Sequence, residues 1–197
     1  MKLIIQRDLV AQILRWTQGV LFTGGTLLMA CCGLTIFDIW RFQEAENAGL
    51  ERQLKAASPV KHPAIVGANG VIGRIDIESL GISAIVIEGT DSASLRRAVG
   101  HIAGTTLPGE PGNIGLSAHR DTFFRPLRNI RQDEMINIST PAGVYRYRVV
   151  STRIVRPTDV SVLESGAGEI LTLVTCYPFY FVGPAPRRFI VRAERTT

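Results

Sequence analysis

The sequence predicts a mainly β fold, a closed barrel with short helices, set behind one N-terminal transmembrane helix. Two observations carry the barrel. From Val71 onward, apolar runs rich in Val, Ile and Thr recur at short intervals, and Gly and Pro punctuate them, as in barrels built from many short strands. Few stretches there have helical periodicity. The third observation carries the helix: residues 16–37 form an uncharged stretch of 22 positions. As a helix it would span roughly 33 Å, about one bilayer core.

Taken in order, Lys2, Arg7 and Arg15 precede that stretch, and Asp8 is the one acid among them. Asp38, Arg41, Glu44 and Glu46 follow it. This asymmetry puts residues 1–15 in the cytoplasm, makes 16–37 a single-pass anchor and sends the rest of the chain outside, across a cytoplasmic (inner) membrane into the periplasm or beyond. Trp16 and Trp40 near its two ends suit interfacial anchoring. A cleaved signal peptide is the alternative, with Ala30-Cys31-Cys32 as small-residue material for a peptidase. Its apolar region usually runs about 7–15 residues, which favours a retained anchor. Residues 38–70 then read as a stalk and linker: Gln43 to Lys55 mixes charges with Ala and Leu as a helix does, and Pro59, Pro63, Gly67 and Gly70 mark a linker.

The domain proper is 71–197. Val71–Ile77 alternates apolar and polar residues towards its end, as a half-buried strand does. Ala84–Ile87 is a second strand. Asp91–Val99 fits a short helix with Asp91 as cap and Gly100 as stop. Pro108, Gly109, Pro111 and Gly112 make a tight loop. Ile114–Ala118 is a strand leading into His119, and Phe123–Ile130 a helical turn around Pro126. Met135–Ser139, Tyr145–Val155, Ile170–Thr175 and Phe189–Ala193 complete the strands.

Three polar residues fall at strand ends. Leu171-Thr172-Leu173-Val174-Thr175 delivers Cys176, and Pro178 ends the strand because it cannot donate to a ladder. Ile114–Ala118 delivers His119, and Arg188 opens Phe189-Ile190-Val191. A thiol, an imidazole and a guanidinium are the parts of cysteine acyl transfer: nucleophile, proton carrier and oxyanion donor. Cys31 and Cys32 lie in the apolar segment, so Cys176 has no disulfide partner within the domain. Position relative to the Phe-Ile-Val strand selects Arg188 over Arg187, since successive strand residues face opposite sides.

With these residues in place the chain resembles the sortases, nearest to class D and the Gram-negative (proteobacterial) group. The resemblance rests on Thr175-Cys176 after Leu-Thr-Leu-Val, on Ala118-His119-Arg120-Asp121-Thr122-Phe123-Phe124 and on Arg188-Phe189-Ile190-Val191. Leu107–Asn113 and Pro184-Ala185-Pro186 also fit, and the match runs from about Val71 to Ala193. It implies an eight-stranded barrel and a cysteine transpeptidase that cleaves an LPxTG-like sorting signal and passes the acyl group to an amine, attaching proteins to the cell surface. Cys176 would be the nucleophile, His119 the general acid/base and Arg188 the oxyanion and substrate-backbone donor. Thr175, Tyr177, Phe123 and Ala118 would line the substrate site. The partners implied are a protein bearing the sorting signal, an amine acceptor and the membrane. Ala118 departs from the glycine that relatives usually carry before the histidine, which is acceptable if that residue keeps β geometry.

The remaining features point elsewhere. From Ser58 onward, 15 of 16 bases are arginine, against 12 acids, with no dense basic block or aromatic–basic interleaving, which argues against nucleic acid. The three histidines, His62, His101 and His119, lack metal-ligand spacing, and no cofactor or metal is expected. His101 reads as a helix end or a structurally bonded residue, His62 as a solvated linker residue, and Asp121 as a cap for the turn that follows or as part of the loop structure. Phe123, Phe124, Tyr177, Phe179, Tyr180 and Phe181 read either as core or as an apolar slot for the substrate's leucine and proline. A thiol hydrolase on the same scaffold, or a silent membrane-tethered adaptor, are the competing functions.

Overall fold

A computed structural model describes residues 7–56, 64–166, 168–181 and 183–196. It contains a closed barrel of eight strands in the order β1-β2-β3-β4-β7-β8-β6-β5. The strands are β1 (Val71–Ile77), β2 (Ile82–Glu88), β3 (Val99–His101), β4 (Gly112–Ser117), β5 (Met135–Thr140), β6 (Gly143–Val155), β7 (Glu169–Tyr177) and β8 (Arg187–Arg195). Two helices accompany them, α1 (Arg7–Ala56) and α2 (Ser92–Arg97). His62 and most of the expected linker around it lie outside the described residues.

The chain divides into two compact units, one ending at Arg41 and the other beginning at Phe42. In the first, α1 has the length and apolar character to cross a membrane, and its apolar side chains are exposed. In the second, the rest of α1 belongs with the barrel instead of forming a free stalk. Leu50 is buried against Ile85, Ile87 and Ala98, with Phe42 and Leu54 beside it. Gln43 is the polar counterpart of that contact. β3 pairs with β2 only over Val86–Glu88, so the Ile85 N–H has no β3 partner. It donates to Gln43 Oε1 at 2.9 Å, and Gln43 Nε2 donates to the Arg97 carbonyl at 2.6 Å. A buried backbone donor is thereby satisfied by a side chain from outside the sheet.

Each predicted strand is present, with ends shifted by a residue or two. β3 is the addition. Asp91 caps α2 as expected, accepting from Ala93 N and Ser94 N at 2.8 and 3.1 Å, but the helix ends at Arg97 because Ala98 is extended. Gly100 therefore lies in β3, not at a helix stop. A Cβ there would collide with the Gly89 carbonyl and the Leu95 side chain, so its smallness serves close approach. The turn expected at Phe123–Ile130 is a 3-10 turn over Arg125–Asn129, and no side chain caps it. Asp121 is exposed and makes no side-chain hydrogen bond among the described residues, so its expected capping role is not realised.

Side chains alternate between the barrel interior and its outer face. Ile114, Leu116 and Ala118 join Leu171, Leu173 and Val191 in the interior core. The outer face of β7 and β8 carries a smaller apolar cluster, Val155, Val162 and Ile190, with Leu163 and Val174 against it. Val162 and Leu163 come from a 3-10 turn at Val160–Leu163 in the β6–β7 connection.

Candidate active site

β4 and β7 are parallel neighbours, in register from Gly112↔Glu169 to Ser117↔Val174. Parallel strands emerge at the same end of a barrel, so the residues that follow Ser117 and Val174 leave together. The ladder runs one step further, the Ala118 N–H donating to the Val174 carbonyl at 3.3 Å. β8 runs antiparallel to β7, which brings its first residues to that same end. Cys176 and Arg188 are direct cross-strand partners.

Strand parity sorts the side chains. Leu171, Leu173 and Thr175 face the interior, so Thr172, Val174 and Cys176 face out. On β8, Arg188 shares a face with Ile190, and Arg187 takes the opposite one, opposite Tyr177. On β4, Ala118 is an interior residue, so Ser117 belongs to the outer face. Cys176 and Arg188 thus share one face of two adjacent strands, and His119, two residues beyond the end of β4, emerges at the same end of the barrel. All three are half-buried. Arg188 Nη1 donates to the carbonyls of Ala185 and Arg187 at 3.3 and 3.1 Å, and no carboxylate pairs with it among the described residues.

The other expected site residues separate into two groups. Thr175 is 2% exposed and Ala118 3%, so neither side chain faces the open side of the site. They hold each other: Thr175 Oγ1 donates to the Ala118 carbonyl at 2.8 Å. Their expected part in lining the substrate site is corrected to one of fixing the strands beneath it. Ala118 keeps a negative φ, since the positive-φ non-glycine residues are Asn69 and Asp133, so alanine is unstrained there. Tyr177 and Phe123 are half-buried near the rim. Tyr177 packs against Phe179 and Phe189, with ring centroids 6.1 and 6.4 Å away. Of the remaining aromatics, Phe124 is wholly buried core, and Tyr180 and Phe181 are exposed. The apolar surface sharing a face with Cys176 is aliphatic instead, the cluster around Val174 and Ile190.

Arg120, which the sequence did not single out, ties the site's loops together. Its Nη1 donates to the Pro178 carbonyl at 2.9 Å, and its Nη2 donates to Phe181 and Gly183 at 2.7 and 2.9 Å. His101 is structural, as expected, though in β3 and not at a helix end: Nδ1 lies 2.8 Å from the Glu88 carboxylate and Nε2 3.1 Å from the Thr106 carbonyl. Among the described residues no group of three or more His, Cys, Asp or Glu side chains could hold a metal ion.

Fold and site together define a class, a closed β-barrel that brings a cysteine, a histidine and an arginine to one end. Comparison with known proteins supplies the family. The Sortase domain profile matches residues 75–196. The chain is 36% identical over 126 residues to Sortase D of Bacillus subtilis and 28% identical over 123 residues to Sortase A of Listeria monocytogenes. These alignments cover 64% and 60% of this chain, and 64% and 55% of those relatives' own lengths. Among solved structures, the Clostridium perfringens Sortase D5 transpeptidase superposes with a TM-score of 0.63 at 25% identity, covering 80% of this chain and 97% of that one. Clostridium perfringens sortase C, solved with the C-terminal cell wall sorting motif, superposes with a TM-score of 0.60 at 29% identity, covering 70% of this chain and 74% of that one. The chain belongs to the sortase family.

Proposed function

We propose that this chain is a membrane-anchored cysteine transpeptidase that cleaves an LPxTG-like sorting signal and transfers the acyl group to an amine. The observation that carries the reading is the meeting of His119, Cys176 and Arg188 at one end of the barrel, where the parallel strands β4 and β7 finish and β8 begins. Residues 16–37 would anchor it with the N-terminus in the cytoplasm and the barrel, from about residue 71, on the outer side of the cytoplasmic membrane. Within the family, the identity to Sortase D favours class D. The proteobacterial part of the resemblance gains no support from these relatives.

In this reading the Cys176 thiolate attacks the scissile carbonyl carbon, and Arg188 donates to the oxygen as it gains charge. His119 gives its proton to the departing amine nitrogen, the C–N bond breaks and a thioester remains on Sγ. An incoming amine then attacks the thioester carbon, loses its proton to His119 and expels the thiolate. Val174 and Leu163, the half-buried edge of the aliphatic cluster, would receive the apolar residues of the sorting signal.

Intact mass spectrometry of the full chain in detergent, incubated with a pool of LPxTG-like peptides, tests this directly. An acyl adduct on Cys176 that hydroxylamine releases as a hydroxamate is the expected result, and Cys176→Ala should abolish adduct and product together. Release to water alone, with every amine acceptor refused, would make the chain a thiol hydrolase. A folded chain with no adduct across the pool would make it a silent adaptor.

A further inference from the structure

We propose that Arg120 is a positioning residue that fixes His119 against Cys176 by clamping the segment between β7 and β8. The inference rests on the roles given above to His119 and Cys176. Three backbone carbonyls, those of Pro178, Phe181 and Gly183, converge on the two terminal nitrogens of one guanidinium at 2.7–2.9 Å. The Phe181 ring lies over the same group, its centroid 5.9 Å from Cζ. The clamped segment starts after Tyr177 and ends before Arg187, so it connects the strands that carry Cys176 and Arg188. Among its described residues the one backbone bond internal to it, from Phe181 N to the Pro178 carbonyl, is long, at 3.4 Å. A charged, planar fork that binds several carbonyls at once is well suited to hold such a segment in one shape.

The sequence neighbours of His119 show why this matters for the site. Ala118, on one side, is held to β7 by the Val174 carbonyl and by Thr175 Oγ1. Arg120, on the other side, is held to the segment that begins two residues after Cys176. Each residue flanking the histidine is therefore tied to a residue close to the cysteine in sequence. The Ala118 tie is a ladder contact in the barrel core, whereas the Arg120 tie is made by a side chain at the rim. Removing Arg120 leaves the barrel and one half of this frame intact and frees the other half.

Steady-state kinetics of the full-length chain in detergent tests the inference, with active sites titrated as the fraction of chains that form the Cys176 acyl adduct by intact mass spectrometry. In Arg120→Ala, kcat per titrated site should fall about 30-fold or more, with KM changed by less than about threefold, the scale expected when reacting groups are misplaced by an ångström or less. Arg120→Lys should recover only part of that loss, because a single ammonium cannot reproduce the fork. A purely structural role would lower the melting temperature or the number of titratable sites and leave kcat per site unchanged. That result, or a loss confined to KM, overturns the inference. A wild-type chain that forms no Cys176 adduct overturns the functional reading and this inference with it, whereas a wild-type chain that turns over beside an Arg120→Ala chain of equal kcat overturns this inference alone.

Discussion

Thr175 stands next to Cys176 in sequence and on the other side of the sheet from it. Its hydroxyl has one task in the structure, donating to the Ala118 carbonyl at 2.8 Å in a buried position. Thr175→Val keeps the shape and removes the donor, which should cost about 1–3 kcal/mol of stability and loosen the strand that leads into His119. Urea unfolding and peptide turnover measured on the same sample check both effects. Tyr147 presents the reverse case. It is wholly buried, and its hydroxyl finds no hydrogen-bond partner among the described residues. Tyr147→Phe should therefore stabilise the fold by about 1 kcal/mol or more. Burial also pushes the Tyr147 phenol above its ordinary range. A raised phenol favours the protonated folded state, so its contribution is complete below the ordinary value near 10 and is lost as pH rises beyond it. Unfolding between pH 9 and 12 should be less pH-dependent in Tyr147→Phe than in the wild type. Cys176, His119 and Arg188 drew notice in the sequence because each sits where an apolar run meets a loop, and the strand order brings those three places to one end of the barrel. Thr175 and Ala118 were placed in the substrate site by adjacency, and strand parity puts them on the far face. Arg120 gave no sequence signal, since its acceptors lie 58 to 63 residues away.

At the scale of elements, alternation and punctuation found the longer strands, because a run of five or more residues displays its period. β3 has three residues, Val99-Gly100-His101, too few to show one, and the Asp91 cap before it made the whole stretch read as helix. What makes those residues a strand is non-local: the parallel contact with Val86–Glu88 and the fit of Gly100 beneath the Gly89 carbonyl. The later turns of α1 read as a helix in sequence and are one, but their mixed composition gave no sign of the side that carries Phe42, Leu50 and Leu54 onto β2. Leu50 is 3% exposed, so Leu50→Ala should lower the stability of the barrel unit by about 2–4 kcal/mol. A variant that melts with the wild type would show that this helix is carried along without contributing.

For the whole molecule, many short punctuated strands pointed to a closed barrel, but the sequence could not display which strands close it. The neighbours β4–β7 and β1–β5 are far apart in the chain, and no local period reveals them; the count of eight strands came from family resemblance. The same contacts set where an independently folding piece begins. The compact unit starts at Phe42, ahead of the expected linker, because the Ile85, Ile87 and Ala98 surface is covered by side chains from before Ala56. A chain beginning at Phe42 should therefore be soluble without detergent, melt cooperatively and retain peptide cleavage, since it keeps the barrel, its helix cover and all three site residues. A chain beginning at Ser58 keeps the site residues and loses the cover. It exposes apolar surface on β2 and leaves the Ile85 N–H and the Arg97 carbonyl without the Gln43 amide. Its melting temperature should fall by at least about 5 °C relative to the Phe42 chain, with a growing tendency to associate. Calorimetry of the two chains at equal concentration decides the point: equal melting temperatures would mean that the barrel is complete without the helix, and that the site owes nothing to the segment leading out of the anchor.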